Sequence, residues 1–199
     1  ITVPPPGMNS SSRRLCLGAA ATMLPLSQAA RAQFRVEISG VGATQIPIAI
    51  ARLRDEERSG VPISQIVRAD LERSGQFRLL DVAAAADETS APSLAEWRSR
   101  GADAFAAGSV TRLADGRFDV RYKLWDVVKG QDLGGQALAV LPADLRLAAH
   151  RIADALYERL TGDKGVFSTR IAYVTRAANR YTLRIADADG EGGQVALGS

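Results

Sequence analysis

Apolar positions in this chain change period several times, and each change predicts an element. Residues 34–39 (FRVEIS) alternate apolar and charged, the pattern of a short strand, which Gly40-Val41-Gly42 then breaks. Residues 46–51 (IPIAIA) form an almost continuous apolar run, as in a strand covered on both faces. The charged stretch 52–60 ends in Ser59-Gly60 and reads as a loop. Pro62 suits a first helical turn; Ile63, Ile66, Val67 and Leu71 recur at helical spacing until Gly75, and residues 76–81 return to strand. Strand, helix and strand within about thirty-five residues make a right-handed crossover, so the two strands are expected to be parallel.

Residues 82–92 are Ala-rich with Asp87, Glu88 and Pro92, a surface loop. Ser93-x-x-Glu96 has the form of a capping box opening a short helix that carries Leu94 and Trp97 to Gly101. Ala104 to Leu113 is a strand and Asp115-Gly116 a hairpin turn. Phe118, Val120, Tyr122 and Leu124 alternate with Asp119, Arg121 and Lys123, and Lys129-Gly130 turns into a further strand, Leu133–Leu141. After Pro142 a long helix runs to Leu160, with Leu145, Ala149, Ile152, Leu156 and Leu160 as one apolar stripe and Gly162 at its C-terminal cap. Residues 43–162 therefore predict an α/β (α+β) domain, a mixed sheet of about five strands with two main helices. The segments 168–175, 181–187 and 194–197 are short strands joined by Asn179-Arg180 and Asp189-Gly190, the spacing of one unit of a repeated all-β array.

The first 32 residues follow another rule. After Met8 a polar stretch ends in Arg13-Arg14, an apolar run extends from Leu15 to Leu26, and Ala30-Arg31-Ala32 sets small residues where signal peptidase prefers them. The run is too short for a membrane span, which needs roughly 20 apolar residues. Residues 1–32 are read as a cleaved export signal with Ala32 and Gln33 at the cleavage point, and residues 1–7, ahead of Met8, as a translation artefact. Ser12 to Leu17 partly matches a twin-arginine signal but lacks its usual Phe and Lys, which leaves the general secretory route as the default. The single cysteine, Cys16, falls inside the removed segment, so the mature chain is expected to lack a thiol in a compartment that permits disulfides.

With 46% hydrophobic and 24% charged residues the composition is ordinary for a globular protein, which argues against wholesale disorder. The formal net charge is only +3 and the arginines are scattered, so nucleic acid is not an expected partner. Candidate chemistry is sparse. His150 is the only histidine; with no cysteine or second histidine to join it in a metal site, it is expected to pack on its helix face. No G-x-S-x-G elbow occurs, and Gly40-x-Gly42 lacks the rest of a phosphate loop. Asp187-x-Asp189-Gly190 suggests calcium, but an EF-hand would require Glu where Gly198 stands, so a strand-linking turn is expected. Asp55-Glu56-Glu57, beside Arg52, Arg54 and Arg58, reads as a solvated mixed-charge surface. No catalytic residue, metal ligand or cofactor site is assigned.

Several segments, in order, resemble the TolB family of the Tol-Pal cell-envelope system: FRVEISGVG, IPIAIA, IVRADLERSGQFRLLD, GADAFAAGSVTRLADGRFDVRYKLWDV and LYERLTGDKGVFSTRIAYV. In the last of these, Thr161-Gly162, Lys164-Gly165 and Thr169 to Val174 are similar to the family's interdomain signature, and the resemblance covers essentially residues 33–199. It implies an α/β N-terminal domain at 43–162 followed by a six-bladed β-propeller, of which 168–199 would be the first blade in a truncated chain. The implied function is that of a non-enzymatic periplasmic adaptor linking the inner-membrane protein TolA to the peptidoglycan-associated lipoprotein Pal. Outer-membrane invagination during division, envelope integrity and colicin import follow from the same resemblance.

By that resemblance, the N-terminal segment 33–42 binds TolA through Phe34, Arg35, Val36, Glu37, Ile38, Ser39 and Gly40, with Gly40 and Gly42 as hinge. Alternation of Phe34, Val36 and Ile38 with Arg35 and Glu37 suits strand addition to a partner's sheet edge; an ordinary edge strand of the domain is the competing reading. Pal would dock on the missing propeller, so no Pal-binding residue is assigned. The expectation is a periplasmic monomer with no cofactor and no transmembrane segment in the mature chain. A secreted hydrolase with a TolB-like propeller, its catalytic part missing here, and an exported sugar- or ligand-binding domain are the alternatives.

Overall fold

The computed structural model describes residues 45–198. The export signal 1–32, the Ala32/Gln33 cleavage point, the segment Phe34 to Gly40 and the hinge residue Gly42 lie outside the described residues.

β1 (Ile46–Ile50) is followed by a two-residue strand β2 (Arg52–Leu53), helix α1 (Ile63–Arg73) and β3 (Phe77–Leu80). β1 and β3 pair in parallel, Ile46 opposite Phe77, as the crossover pattern predicts. A second two-residue strand, β4 (Ala85–Ala86), lies parallel to β2, and α2 (Leu94–Ser99) follows. β5 (Ala104–Arg112) is parallel to β1 and antiparallel to β6 (Phe118–Asp126), which is antiparallel to β7 (Gln131–Val140). The mixed sheet has the order β3-β1-β5-β6-β7.

Its two faces are buried differently. α1 and the long helix α3 (Leu145–Thr161) cover one face, where Ile48, Ile50, Val67, Leu71, Val120, Leu124, Ile152 and Leu156 form the main core. On the other, a smaller cluster of Ala49, Ala51, Trp97, Phe105, Trp125 and Val127 is partly covered by α2. Burial on both sides is why IPIAIA carries no polar alternation.

Two local expectations are corrected. In the stretch 52–60, Arg52, Arg54, Glu57 and Arg58 are exposed as expected, but it contains β2 and a single 3-10 turn, Glu56–Ser59, and Glu56 is not part of the solvated surface, being only 4% exposed. Glu56 Oε2 accepts the backbone N–H groups of Leu53 (3.1 Å) and Ser64 (3.2 Å), and Oε1 accepts the Ser64 hydroxyl (3.0 Å). The first turn of a helix leaves N–H groups unpaired, and Pro62 at the N-cap supplies no side-chain acceptor; a carboxylate from outside the helix fills that role. The Ser93-x-x-Glu96 box is not formed either, for the Ser93 side chain caps nothing; buried Trp97 anchors this short helix instead.

α3 ends as its sequence predicts. Gly162 adopts φ +85°, a conformation costly for side-chain-bearing residues, and its N–H bonds to Glu158 O at 2.9 Å. The chain after it stays on the helix. Asp154 accepts the N–H of Phe167 (2.6 Å) and of Ser168 (3.1 Å), and the Tyr157 ring packs edge-on between Phe77 and Phe167. A Cβ at Gly165 would stand 2.5 Å from Asp154 Cα, so this close approach requires glycine.

β8 (Arg170–Ala177), β9 (Arg180–Asp187) and β10 (Gln194–Gly198) form a separate antiparallel sheet of order β10-β9-β8. It carries large exposed apolar side chains, among them Ile171, Val174, Tyr181, Val195 and Leu197, with Leu197 at 67%. No helix among the described residues is long and apolar enough to cross a membrane.

Candidate functional site

Among the described residues, a dense cluster of titratable groups sits where the two helices meet the end of β9. On α1, Asp70 lies three residues beyond Val67 and one before Leu71, at the margin of the apolar stripe. On α3, Arg146 and His150 are four residues apart, hence on one face, each next to a stripe residue, Leu145 or Ala149. The third contributor is Asp187-x-Asp189-Gly190. Gly190 N–H closes the turn on Asp187 O (2.9 Å), and Glu191 N–H holds Asp189 Oδ1 (3.0 Å), which aims the other Asp189 oxygen back at α3.

His150 is 1% exposed, and its Nδ1 lies 2.6 Å from Asp70 Oδ2. Asp70 is equally buried, and its other oxygen accepts Arg73 at 3.0 Å. Arg146 spans both acids of the turn, donating from Nη2 to Asp189 Oδ2 (2.6 Å) and from Nε to Asp187 Oδ2 (3.3 Å). Arg170 of β8 stands 3.6 Å from the second Asp187 oxygen. His150 Nε2 faces the same two acids, 3.7 Å from Asp189 and 3.9 Å from Asp187, and has no hydrogen-bond partner.

The electrostatics follow this geometry. The Asp70 hydrogen bond raises the His150 pKa above its usual value; burial opposes it, and the charges of Asp70, Asp189 and Asp187 add to it. Burial works against the charge of Arg146, but Asp189 and Asp187 outweigh it and hold its pKa up. Asp189 is pushed up by burial yet ends below the ordinary carboxylate value, because the Glu191 N–H, Arg146 and His150 stabilise its anion.

Sequence reasoning places His150 on a helix face for packing; it is buried on that face, and it also sits among three carboxylates. Distance along the chain hides these partners: Asp70 is 80 residues away. The available signal was the Arg146/His150 spacing beside an apolar stripe. The Asp187–Gly190 turn is found as expected, with the added role of gripping Arg146.

His150, Asp187 and Asp189 are the one set among the described residues whose ligand atoms could converge on a cation, all within 4.8 Å. Arg146 already engages both carboxylates, so a metal ion would have to displace a guanidinium. The cluster brings together binding groups but no nucleophile; its chemistry is that of a fastening between α1, α3 and the C-terminal sheet.

Comparison with known proteins agrees with this architecture. The family model described as the TolB amino-terminal domain matches residues 34–133, half of the 199-residue chain. A Tol-Pal system protein TolB from Albidiferax ferrireducens is 62% identical over 93% of this chain and 43% of its own length. The protein of the same name from Polaromonas naphthalenivorans is 60% identical over 96% of this chain and 44% of its own. The crystal structure of TolB from Acinetobacter baumannii superposes with a TM-score of 0.67 at 37% identity, covering 78% of this chain and 39% of that one. The chain spans about two-fifths of the length of these relatives. With that match running through the β1–α1–β3 crossover and the β5–β6 hairpin, the chain belongs to the TolB amino-terminal domain family.

Proposed function

We propose that this chain serves as a non-enzymatic adaptor of the Tol-Pal system in the periplasm, linking TolA to Pal in support of outer-membrane invagination and envelope integrity. The observation that carries the reading is its 62% identity, over 93% of its length, to a protein named for that system. In this reading residues 1–32 direct export. Residues 33–42 form the TolA-binding arm: Phe34, Val36 and Ile38 add a strand to a TolA sheet edge, and Gly40 and Gly42 let the arm swing away from β1. Domain 43–162 is the body that presents the arm, and strands 168–199 begin the propeller on which Pal and colicins dock. The protein acts as a monomer and uses no cofactor or nucleic acid.

The test is deletion of residues 33–40. An arm makes few contacts with its own domain, so the variant should melt within a degree or two of the parent. Its affinity for the periplasmic domain of TolA, measured by calorimetry, should fall below detection. Undiminished TolA binding overturns the assignment. A large loss of stability identifies the segment as an edge strand of the domain.

A further inference from the structure

We propose that the Asp70–His150–Asp187/Asp189 junction is a proton-operated latch, closed when the His150 ring is doubly protonated, that fastens the end of β9 to the α1–α3 pair. The inference concerns two layers of this chain and holds whether or not the chain binds TolA or Pal.

The imidazole sits between carboxylates on both sides. One proton suffices for the Asp70 side, where Nδ1–H donates across 2.6 Å. With only that proton, Nε2 presents a lone pair to Asp189 at 3.7 Å and Asp187 at 3.9 Å, in a place buried from water and without a partner. A lone pair facing two anions is repelled, whereas an N–H there is attracted to both. The second proton thus changes the sign of the interaction across the junction.

The surrounding charges demand that proton. Asp70 on α1, Asp187 on β9 and Asp189 in the turn face His150, and these acids are paired in turn with Arg73 on α1, Arg170 on β8 and Arg146 on α3. The Arg73 and Arg170 side chains are 51% and 58% exposed, so water screens them; Arg146, at 31%, is the one well-shielded guanidinium set against three shielded carboxylates. Imidazolium brings the interior closer to neutrality. The raised His150 pKa runs the same way. Its sign fixes the direction: the latch is fully closed below the unfolded histidine value of about 6.5 and opens as pH rises through the higher folded value.

Opening need not unfold either layer. The Asp154 bonds to Phe167 and Ser168 and the Tyr157–Phe167 contact hold the start of the C-terminal sheet independently of His150. What is loosened is the end of β9 and its turn, where the Arg146 bonds to Asp187 and Asp189 are then left without the histidine's support.

Because the chain has one histidine, its imidazole gives a single, unambiguous NMR titration. The experiment follows that signal from pH 5.5 to 9, together with amide exchange of residues 186–191 corrected for intrinsic rates. The His150 midpoint should lie above 6.5. Protection of 186–191 should fall about tenfold per unit of the pKa difference as pH passes the midpoint, while α1 amides stay protected. Asp189→Asn should lower the midpoint and flatten the change; His150→Gln should abolish the pH dependence. A midpoint at or below 6.5, constant protection across it, or an unchanged pH response in Asp189→Asn overturns the latch, even should His150→Gln fail to fold. Zinc chloride raising protection of 186–191 at neutral pH also overturns it, since Nε2 would then be a metal ligand.

Discussion

Replacing Glu56 with alanine removes the acceptor that three donors share: the N–H groups of Leu53 and Ser64 and the Ser64 hydroxyl. Glu56 is 4% exposed, so water does not readily replace it. A hydrogen bond to a charged acceptor contributes about 1.5–3 kcal/mol, and a buried donor left unpaired costs about 1–3. The hydroxyl can turn elsewhere, and the three bonds share one carboxylate, so the terms do not add fully. A loss of about 3–4 kcal/mol is expected. At about 2–4 °C per kcal/mol for a chain of this size, the melting temperature should drop by roughly 6–16 °C. The assay is urea and thermal unfolding by circular dichroism, with Glu56→Gln as control. Glutamine retains an acceptor oxygen for both N–H groups and an amide that can donate to Ser64 Oγ. It loses only the charge near the N-terminus of α1, worth about 1 kcal/mol. Stability of Glu56→Ala within about 0.5 kcal/mol of the parent would refute the reasoning. Equal losses in both variants would assign the effect to charge rather than to hydrogen bonding.

Gly165→Ala should push the linker off α3, because the new Cβ would lie 2.5 Å from Asp154 Cα. Limited proteolysis should then cut residues 163–168 faster while the five-stranded sheet persists, and an unchanged cleavage rate would contradict the close approach. Burial pushes the Tyr122 hydroxyl up to about 12, against about 10 in the unfolded chain. Urea stability should therefore be flat below pH 10 as far as this group is concerned and fall as pH rises from 10 to 12, by at most about 1.4 kcal/mol per unit; Tyr122→Phe should remove that component. Mass spectrometry of exported protein should find Gln33 at the N-terminus and no Cys16, and retention of Arg13-Arg14 would show that the leader is not cleaved there.

Local pattern determined the frame of this protein. The spacing Ile63–Ile66–Val67–Leu71 between two apolar runs determined a parallel crossover, because a helix that buries one stripe has to return the chain over the same sheet. Asp115-Gly116 and the alternation after it determined the β5–β6 hairpin. Gly162 determined where α3 stops, since a left-handed terminal residue disfavours a side chain. Each signal lies within a few residues of the structure it specifies.

The charged residues behaved differently, because their meaning depends on what the fold sets opposite them. Glu56, among six charged residues (52 and 54–58 with Leu53 between), looked solvated from its neighbours and is buried by the helix end it caps. Ser93 had the right spacing for a capping box and makes no such bond. His150 joins Asp70 across 80 residues, and Arg146 reaches Asp187 and Asp189 across 41 and 43. Apolar burial leaves a periodic trace because a whole face must be apolar, residue after residue. An ion pair asks for one side chain on each of two distant segments, so no period records it, and only the tertiary structure decides which charges meet and which face water.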